Sequence, residues 1–213
     1  MIRVLLADDH AIIRDGVKQI LADTDDLVVT GEAANGDEAL KIVAKHDFDL
    51  LVLDISMPGK SGLELIKLVR QVKPRLPMLV FSMHNEEQYA LRALRAGASG
   101  YITKESDGEV LATAMRKVAA GGVYVSNNVA ELLARERMQK TDELPHTRLS
   151  DREFQIFEKI IAGIRLTDIA TEFNLSIKTI STHKSRILQK MNLASDTDLV
   201  RYAIAKGLMA MPE

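Results

Sequence analysis

The 213-residue chain contains no cysteine, which excludes disulfides and thiolate metal sites and removes any pointer to an oxidising compartment. It also lacks any stretch approaching the roughly 20 apolar residues that a bilayer-spanning helix needs. The opening apolar run, Ile2 to Ala7, is cut at once by Asp8-Asp9, so no secretion signal is expected and a soluble, cytoplasmic protein is. A strong net charge is missing as well: 28 Lys and Arg against 30 Asp and Glu leave -2. The local distribution says more. No Asp or Glu occurs between Glu172 and Asp196, while Lys178, Lys184, Arg186 and Lys190 all fall there. There is neither an internal repeat nor a low-complexity tract, and the length suits two modest domains, each with its own core.

What is present is a set of short apolar runs that end in charged residues. Ile2-Arg3-Val4-Leu5-Leu6-Ala7 leads into Asp8-Asp9, Leu50-Leu51-Val52-Leu53 into Asp54, and Gly100-Tyr101-Ile102-Thr103 into Lys104. Runs of this length and composition, separated by amphipathic segments, read as strands of a parallel sheet buried on both faces. With Leu27 to Ala33 and Met78 to Ser82 they make five strands. The intervening helical patterns lie around Ile12 to Leu21, Gly36 to Lys45, Leu63 to Val72, Glu87 to Ala96 and Asp107 to Ala119. Right-handed crossovers put helices on both faces, giving a doubly wound, flavodoxin-like α/β fold. The carboxyl ends of such strands line one crevice, where open sheets bind ligands.

Asp8, Asp9, Asp54 and Lys104 therefore converge. Singly, each acid reads well as a helix cap or turn residue; together with Lys104 they read as a site. Three close carboxylates raise one another's pKa unless a cation intervenes. Oxygen ligands with no Cys or His clustered nearby favour a hard ion that keeps its waters, so Mg²⁺ is the expected cofactor. Beside a metal and a Lys, Asp54 is equipped as a nucleophile that forms an acyl phosphate.

The spacing of Asp8-Asp9, Asp54, Ser82, Tyr101 and Lys104, with Met57-Pro58-Gly59 and Gly62 after the central Asp, resembles the receiver domain of a two-component response regulator. The resemblance implies that Asp54 accepts a phosphoryl group from a sensor histidine kinase. It implies that Asp9, Asp54 and the carbonyl of Ser56 ligate Mg²⁺ while Asp8 acts through water. Ser82 takes the place of the switch hydroxyl, Tyr101 that of the aromatic that swings inward, and Lys104 that of the phosphate's ion-pair partner. A half-buried strand aromatic is the alternative for Tyr101. Pro58-Gly59 suits a type II turn over the site. Lys104-Glu105 departs from the Lys-Pro of many receivers, whose peptide is cis; before a non-proline residue that isomer costs roughly 3 kcal/mol, which leaves its geometry to the structure.

Gly121-Gly122 closes the strand and helix alternation. Asn128 to Met138 fits one more helix, and Gln139 to Arg148 reads as a polar linker. Beyond it the pattern is four short helices. Ser150-Asp151-Arg152-Glu153 has capping-box spacing ahead of Phe154, Phe157, Ile160 and Ile161. Gly163 stops that helix, Thr167 can cap a second, Asn174-Leu175 makes a tight turn and Ser176 can cap a third. On the third, Ile180, Ile187 and Met191 share one face, and Lys178, Ser181, Thr182, Ser185 and Gln189 the opposite one, with Arg186 at its border. Two helices joined by a tight turn, the second basic, form a helix-turn-helix whose hydroxyls and amide reach base edges and whose cations reach phosphates. A solvated face of an ordinary bundle is the plain alternative. His183 and Lys184 point toward the packed side and are not expected to read bases.

Leu149 to Glu153, then Gly163, Ile169-Ala170, Leu175-Ser176, Lys178-Thr179-Ile180, His183 and Ile187 to Met191, resemble the LuxR-type DNA-binding domain of NarL/FixJ-like response regulators. One departure is Arg165-Leu166-Thr167, where a more polar stretch is common. The combined expectation is a receiver at 1–122, a connecting helix and linker at 123–147, and a helix-turn-helix domain at 148–213. Lys178, Thr179, Ser181, Thr182, Ser185, Arg186, Gln189 and Lys190 are the expected DNA contacts. The resemblance implies a transcriptional regulator, not an enzyme, that pairs into a homodimer when phosphorylated. A dimer would span two half-sites about one DNA turn apart. A sensor kinase, promoter DNA and RNA polymerase are the candidate partners. Two rivals stand beside it: a Mg²⁺-dependent phosphohydrolase with an Asp nucleophile, for which no general acid or cap region is evident, and a constitutive DNA binder with a silent receiver.

Overall fold

A computed structural model describes residues 1–57, 62–84, 86–138 and 144–209, without the side chains of 86–88 and 135–138. The expected turn at Pro58-Gly59 and the linker stretch 139–143 lie outside the described residues. The chain divides into two units, Met1–Gln139 and Lys140–Glu213.

In the first unit, strands β1 (Ile2–Ala7), β2 (Leu27–Ala33), β3 (Leu50–Leu53), β4 (Met78–Ser82) and β5 (Gly100–Thr103) alternate with helices α1 (Ala11–Ala22), α2 (Gly36–Lys45), α3 (Gly62–Val72), α4 (Glu86–Ala96) and α5 (Gly108–Ala119). All strand pairs are parallel, in the order β2-β1-β3-β4-β5. The expected strands all form, because each short run of branched and aliphatic residues can bury both faces. Val4, Leu6, Val52, Leu79 and Ile102 pack with Val17 and Leu21 of α1 and Leu111, Met115 and Val118 of α5. Neighbouring strand residues point to the other face, against which α2, α3 and α4 pack in sequence. The sheet order reverses between β1 and β3, and this switch point sets the site. Ala7 pairs with Leu53, so the next residues, Asp8 and Asp54, leave the sheet side by side.

After α5 the chain does not depart at once. Tyr124 bridges Gly100, its carbonyl accepting the Tyr101 N–H at 2.9 Å, and helix α6 (Asn127–Met138) packs on α4. Among the described residues no peptide bond is cis, so Lys104–Glu105 is trans.

The second unit holds a 3-10 turn at Pro145–Arg148 and helices α7 (Asp151–Ile161), α8 (Leu166–Glu172), α9 (Ile177–Met191) and α10 (Asp196–Ala205). The 3-10 turn corrects the reading of this stretch as linker. Pro145 starts it, and His146 Nδ1 meets the Tyr202 hydroxyl at 2.8 Å, fastening it to α10. Phe154, Phe157, Ile169, Ile180, Ile187 and Leu199 are the buried centre. Ser150 and Glu153 form the full capping box, and Ser176 caps α9 by accepting the Thr179 N–H. Thr167 does not cap α8. Gly163 turns the chain with φ +78°, Arg165 takes the extended cap position, and Thr167 falls in the first turn, its hydroxyl on Asp168 at 3.2 Å. Asn174, at φ +57°, turns α8 into α9. No helix of the described residues is long and apolar enough to cross a membrane.

Candidate functional site

The site in the first unit is assembled from strand ends. Asp54 is anchored by its own N–H to the Ala7 carbonyl at 2.9 Å, and its Oδ1 accepts the Ser56 N–H at 3.0 Å. From two strands away, the Lys104 N–H bonds the Ser82 carbonyl and the side chain crosses the strand ends. Its Nζ lies 2.8 Å from Asp54 Oδ2 and 2.6 Å from Asp8 Oδ2. Asp8, Asp54 and the Lys104 side chain are nearly sealed from solvent. Burial would push the ammonium pKa down, but Asp54 and Asp8 outweigh it and hold Lys104 above the ordinary lysine value. Beyond this ion pair with Lys104, Asp8 Oδ2 has no hydrogen-bond partner among the described residues.

Asp9 is exposed at the rim, and Asp8, Asp9, Asp54 and His10 offer ligand atoms all within 4.8 Å of one another. The three acids and Lys104 thus meet as expected, and the donor set, two buried carboxylates and one exposed, fits a divalent cation. The expectation that no His lies nearby is corrected. His10 sits at the N-cap of α1 with extended φ -90° and ψ 107°, which folds its ring back on the acids: Nδ1 is 2.9 Å from Asp9 Oδ1 and 3.3 Å from Asp8 Oδ1. Its adjacency to Asp8-Asp9 was the available signal. Arg14 was also missed in the sequence. One turn into α1, it donates to the Asp8 carbonyl at 2.7 Å and to Glu32 at 3.0 Å, pinning the acidic turn to β2.

Ser82 and Tyr101 are both fully buried, so Tyr101 is not a half-exposed strand aromatic. Their polar atoms converge on one residue. The His84 N–H reaches Ser82 Oγ at 3.4 Å, while the Tyr101 hydroxyl donates to the His84 carbonyl at 3.0 Å. The His84 ring stacks on Tyr89 of α4, centroids 4.4 Å apart.

In the second unit, Lys178, Thr182, Ser185, Arg186, Gln189 and Lys190 are exposed along α9, and Thr179 and Ser181 are half-buried. Thr182 donates to the Lys178 carbonyl at 2.9 Å and Ser185 to that of Ser181 at 3.1 Å, leaving their oxygens outward as acceptors. Thr179 is engaged in the helix cap, its Oγ1 2.8 Å from Ser176 Oγ. Lys190 Nζ lies 2.6 Å from buried Glu153, and Lys184 is tied to Asp196 at 2.6 Å. Burial alone would raise the Glu153 carboxyl; Lys190 and the Ser150 N–H outweigh it and hold the pKa below the ordinary value of 4.5. Burial lowers the His183 pKa, and its Nδ1 has no hydrogen-bond partner among the described residues, consistent with a packing role.

The depressed Glu153 pKa has a definite sign. Its stabilisation is complete above pH 4.5 and is lost as pH falls through the lower, folded-state pKa. Glu153→Gln is therefore expected to flatten the acid limb of the second unit's stability curve while lowering its neutral plateau. Thermal melts across acidic to neutral pH test this; parallel curves for both proteins would refute the role of the pair.

A doubly wound sheet carrying this acid and Lys set, joined to a helix-turn-helix, defines a receiver coupled to a DNA-binding module. The chain belongs to the NarL/FixJ family of transcriptional response regulators. The response regulator receiver domain matches residues 4–116, and the luxR family of bacterial regulatory proteins matches residues 147–203. The chain is 38% identical to the oxygen regulatory protein NreC of Staphylococcus epidermidis, covering 97% of this chain and 99% of that one. It is 33% identical to the response regulator UvrY of Escherichia coli K12, over 98% and 96% of the two chains. Among solved structures, RcsB of Salmonella enterica serovar Typhimurium, bound to promoter rprA in the presence of phosphomimetic BeF₃⁻, aligns with TM-score 0.64 at 27% identity, over 95% of this chain and 98% of that one.

Proposed function

We propose that Asp54 is the phosphoacceptor of a sensor histidine kinase and that its phosphorylation controls promoter binding by α9. The observation that carries this reading is Lys104 Nζ lodged between Asp8 and Asp54 at 2.6 and 2.8 Å, with Asp9 completing the acid cluster. An Asp54 carboxylate oxygen attacks phosphorus, the P–N bond to the kinase histidine breaks, and its electron pair remains on the imidazole nitrogen. Asp9, Asp54 and the Ser56 carbonyl would hold Mg²⁺, with Asp8 acting through water. When bound, the ion supplies positive charge against the phosphoryl oxygens and relieves the repulsion among the acids. Lys104 is already placed to pair with a phosphoryl oxygen once the group is on Asp54.

Ser82 would turn its hydroxyl to the phosphoryl group and loosen its hold on the His84 N–H. Tyr101 grips the carbonyl of that same residue, so His84 is where the two switch side chains become one event. The change passes to α4, whose Tyr89 stacks on His84. A homodimer on two half-sites follows from helix-turn-helix geometry, and the structure of two RcsB dimers bound to two parallel DNAs supports it by analogy. RNA polymerase is the partner expected next at the promoter.

Incubating the protein with Mg²⁺ and a small phosphodonor, then measuring intact mass, tests the reading. One retained phosphoryl group is expected; rapid donor turnover without retention would mean a phosphohydrolase, and an unchanged mass a constitutive binder.

For DNA, Lys178 and Arg186 are proposed to grip phosphates, and Ser181, Thr182, Ser185 and Gln189 to face base edges. Thr179 supports them through the cap, and Lys190 contributes less charge because Glu153 already neutralises it. Lys178→Ala is expected to weaken binding to all sequences and to make the slope of affinity against salt shallower by about one unit. Thr182→Ala should leave the slope unchanged but cost on the order of 1 kcal/mol at the specific site alone. Identical, sequence-independent losses for both variants would mean that α9 is not the reader.

A further inference from the structure

We propose that His10 is a direct ligand of the divalent cation at the phosphoacceptor site, which gives that site a nitrogen donor and a preference for borderline first-row ions such as Co²⁺ that an all-oxygen site lacks. The inference rests on the reading of Asp8, Asp9 and Asp54 as a cation site. Three observations carry it. First, the ligand atoms of Asp8, Asp9, Asp54 and His10 all lie within 4.8 Å of one another. Ligands on opposite sides of an octahedral ion stand about 4.2 Å apart, so Asp9, Asp54 and His10 need to close up by no more than about half an ångström, with Asp8 reached through water. Second, Asp8 Oδ2 is buried and is met by Lys104 Nζ at 2.6 Å as an ion pair, without a hydrogen-bond partner among the described residues, so it keeps acceptor capacity toward a cation.

Third, the His10 ring is held toward the acids and has no other evident task. Its main-chain N–H donates to Asp8 Oδ1 at 2.9 Å, which fixes the turn, and its Nδ1 sits 2.9 Å from Asp9 Oδ1. The side chain makes no capping hydrogen bond to α1 and is 65% exposed. The ring is therefore dispensable for starting the helix, and its Nδ1 is held against the acids. Binding needs the tautomer with hydrogen on Nε2, its Nδ1 lone pair directed at the cation; the contact with Asp9 then becomes shared coordination. Imidazole suits Co²⁺, Ni²⁺ and similar ions better than it suits Mg²⁺, which retains water readily in that position.

Pulsed electron paramagnetic resonance of Mn²⁺ bound to the full-length protein tests this, because a directly coordinated imidazole imprints nitrogen modulation on the metal signal. Modulation is expected in the native protein and is expected to vanish in His10→Ala. Calorimetric titration of the same pair should show Co²⁺ binding weakened at least about tenfold, the lower end of what even indirect partners of a metal contribute, and Mg²⁺ binding changed by less than about threefold, as water replaces the ring. Mn²⁺ that binds without nitrogen modulation, or modulation that survives His10→Ala, would overturn the proposal while leaving the acid site intact. Absence of any Mn²⁺ or Mg²⁺ binding would overturn the cation site itself, and the proposal with it.

Discussion

Asp54→Asn is expected to abolish phosphoryl uptake without unfolding the protein. The carboxamide has nearly the same shape and still accepts the Ser56 N–H, which meets Asp54 Oδ1 at 3.0 Å. It lacks the carboxylate lone pairs and charge that make Asp54 a nucleophile. The stability change combines opposite effects. Lys104 loses one of two buried counter-ions, while Asp8 and Asp9 lose a repelling neighbour, so the melting temperature should move little. Mg²⁺ affinity should fall because one ligand has lost its charge. Intact mass after incubation with a small phosphodonor reads the first effect and thermal melting the second. A variant that takes up one phosphoryl group at the native rate would place the acceptor elsewhere, and one that fails to fold would show Asp54 to be a structural counter-ion first.

The second large effect is expected at Gly62, at the start of α3. A Cβ there would stand 2.8 Å from Ile55 Cβ and 2.9 Å from its Cγ2, with the Ile55 backbone Cα closer still. Ile55 cannot retreat. It is buried, its carbonyl accepts the Gly62 N–H, and its neighbour Asp54 is tied to β1. Gly62→Ala should thus drive α3 away from the sheet or twist the turn from Asp54 to Ser56. A cost of about 3 kcal/mol is expected, at the upper end of ordinary overpacking. That corresponds to a melting temperature lowered by roughly 10 °C. Phosphoryl uptake should slow as well, because the oxygens of Asp54 and the Ser56 carbonyl move with the turn. Calorimetry on the full chain and a phosphorylation time course measure the two effects. Native stability in Gly62→Ala would show that the helix start can shift freely, and would remove this glycine from the site's architecture.

The parts legible in the sequence are those whose physics is local. Runs such as Leu50 to Leu53 declare buried strands because four aliphatics bounded on both sides by polar residues are too short for a helix and can bury both faces of a strand. Ser150 with Glu153, and Ser176, announce helix starts because a cap is completed within three residues. Strand ends followed by Asp8, Asp54 and Lys104 declare a site because parallel strands must bring their carboxyl ends together. From the sequence by itself came the two-domain plan, the acid and Lys cluster, and the polar face of α9.

The tertiary structure alone decided what depends on partners distant in the chain. Lys190 reads as a free cation on a basic helix, yet Glu153, 37 residues earlier, neutralises it; no periodicity encodes that pairing, which exists because the packing of α7 on α9 buries a carboxylate that then needs a counter-charge. Pro145 to Arg148 reads as linker by composition, and its place in the structure comes from partners distant in the chain, Tyr202 and Phe154 on His146. His84 carries no motif, and its position between Ser82 and Tyr101 follows from where β4 and β5 end. His10 stands next to the acids in the sequence, but whether its ring turns to them or to solvent is settled by the extended backbone before α1. Local propensity fixes elements and their faces; which polar groups become buried, and which partners then satisfy them, is decided only when the elements pack.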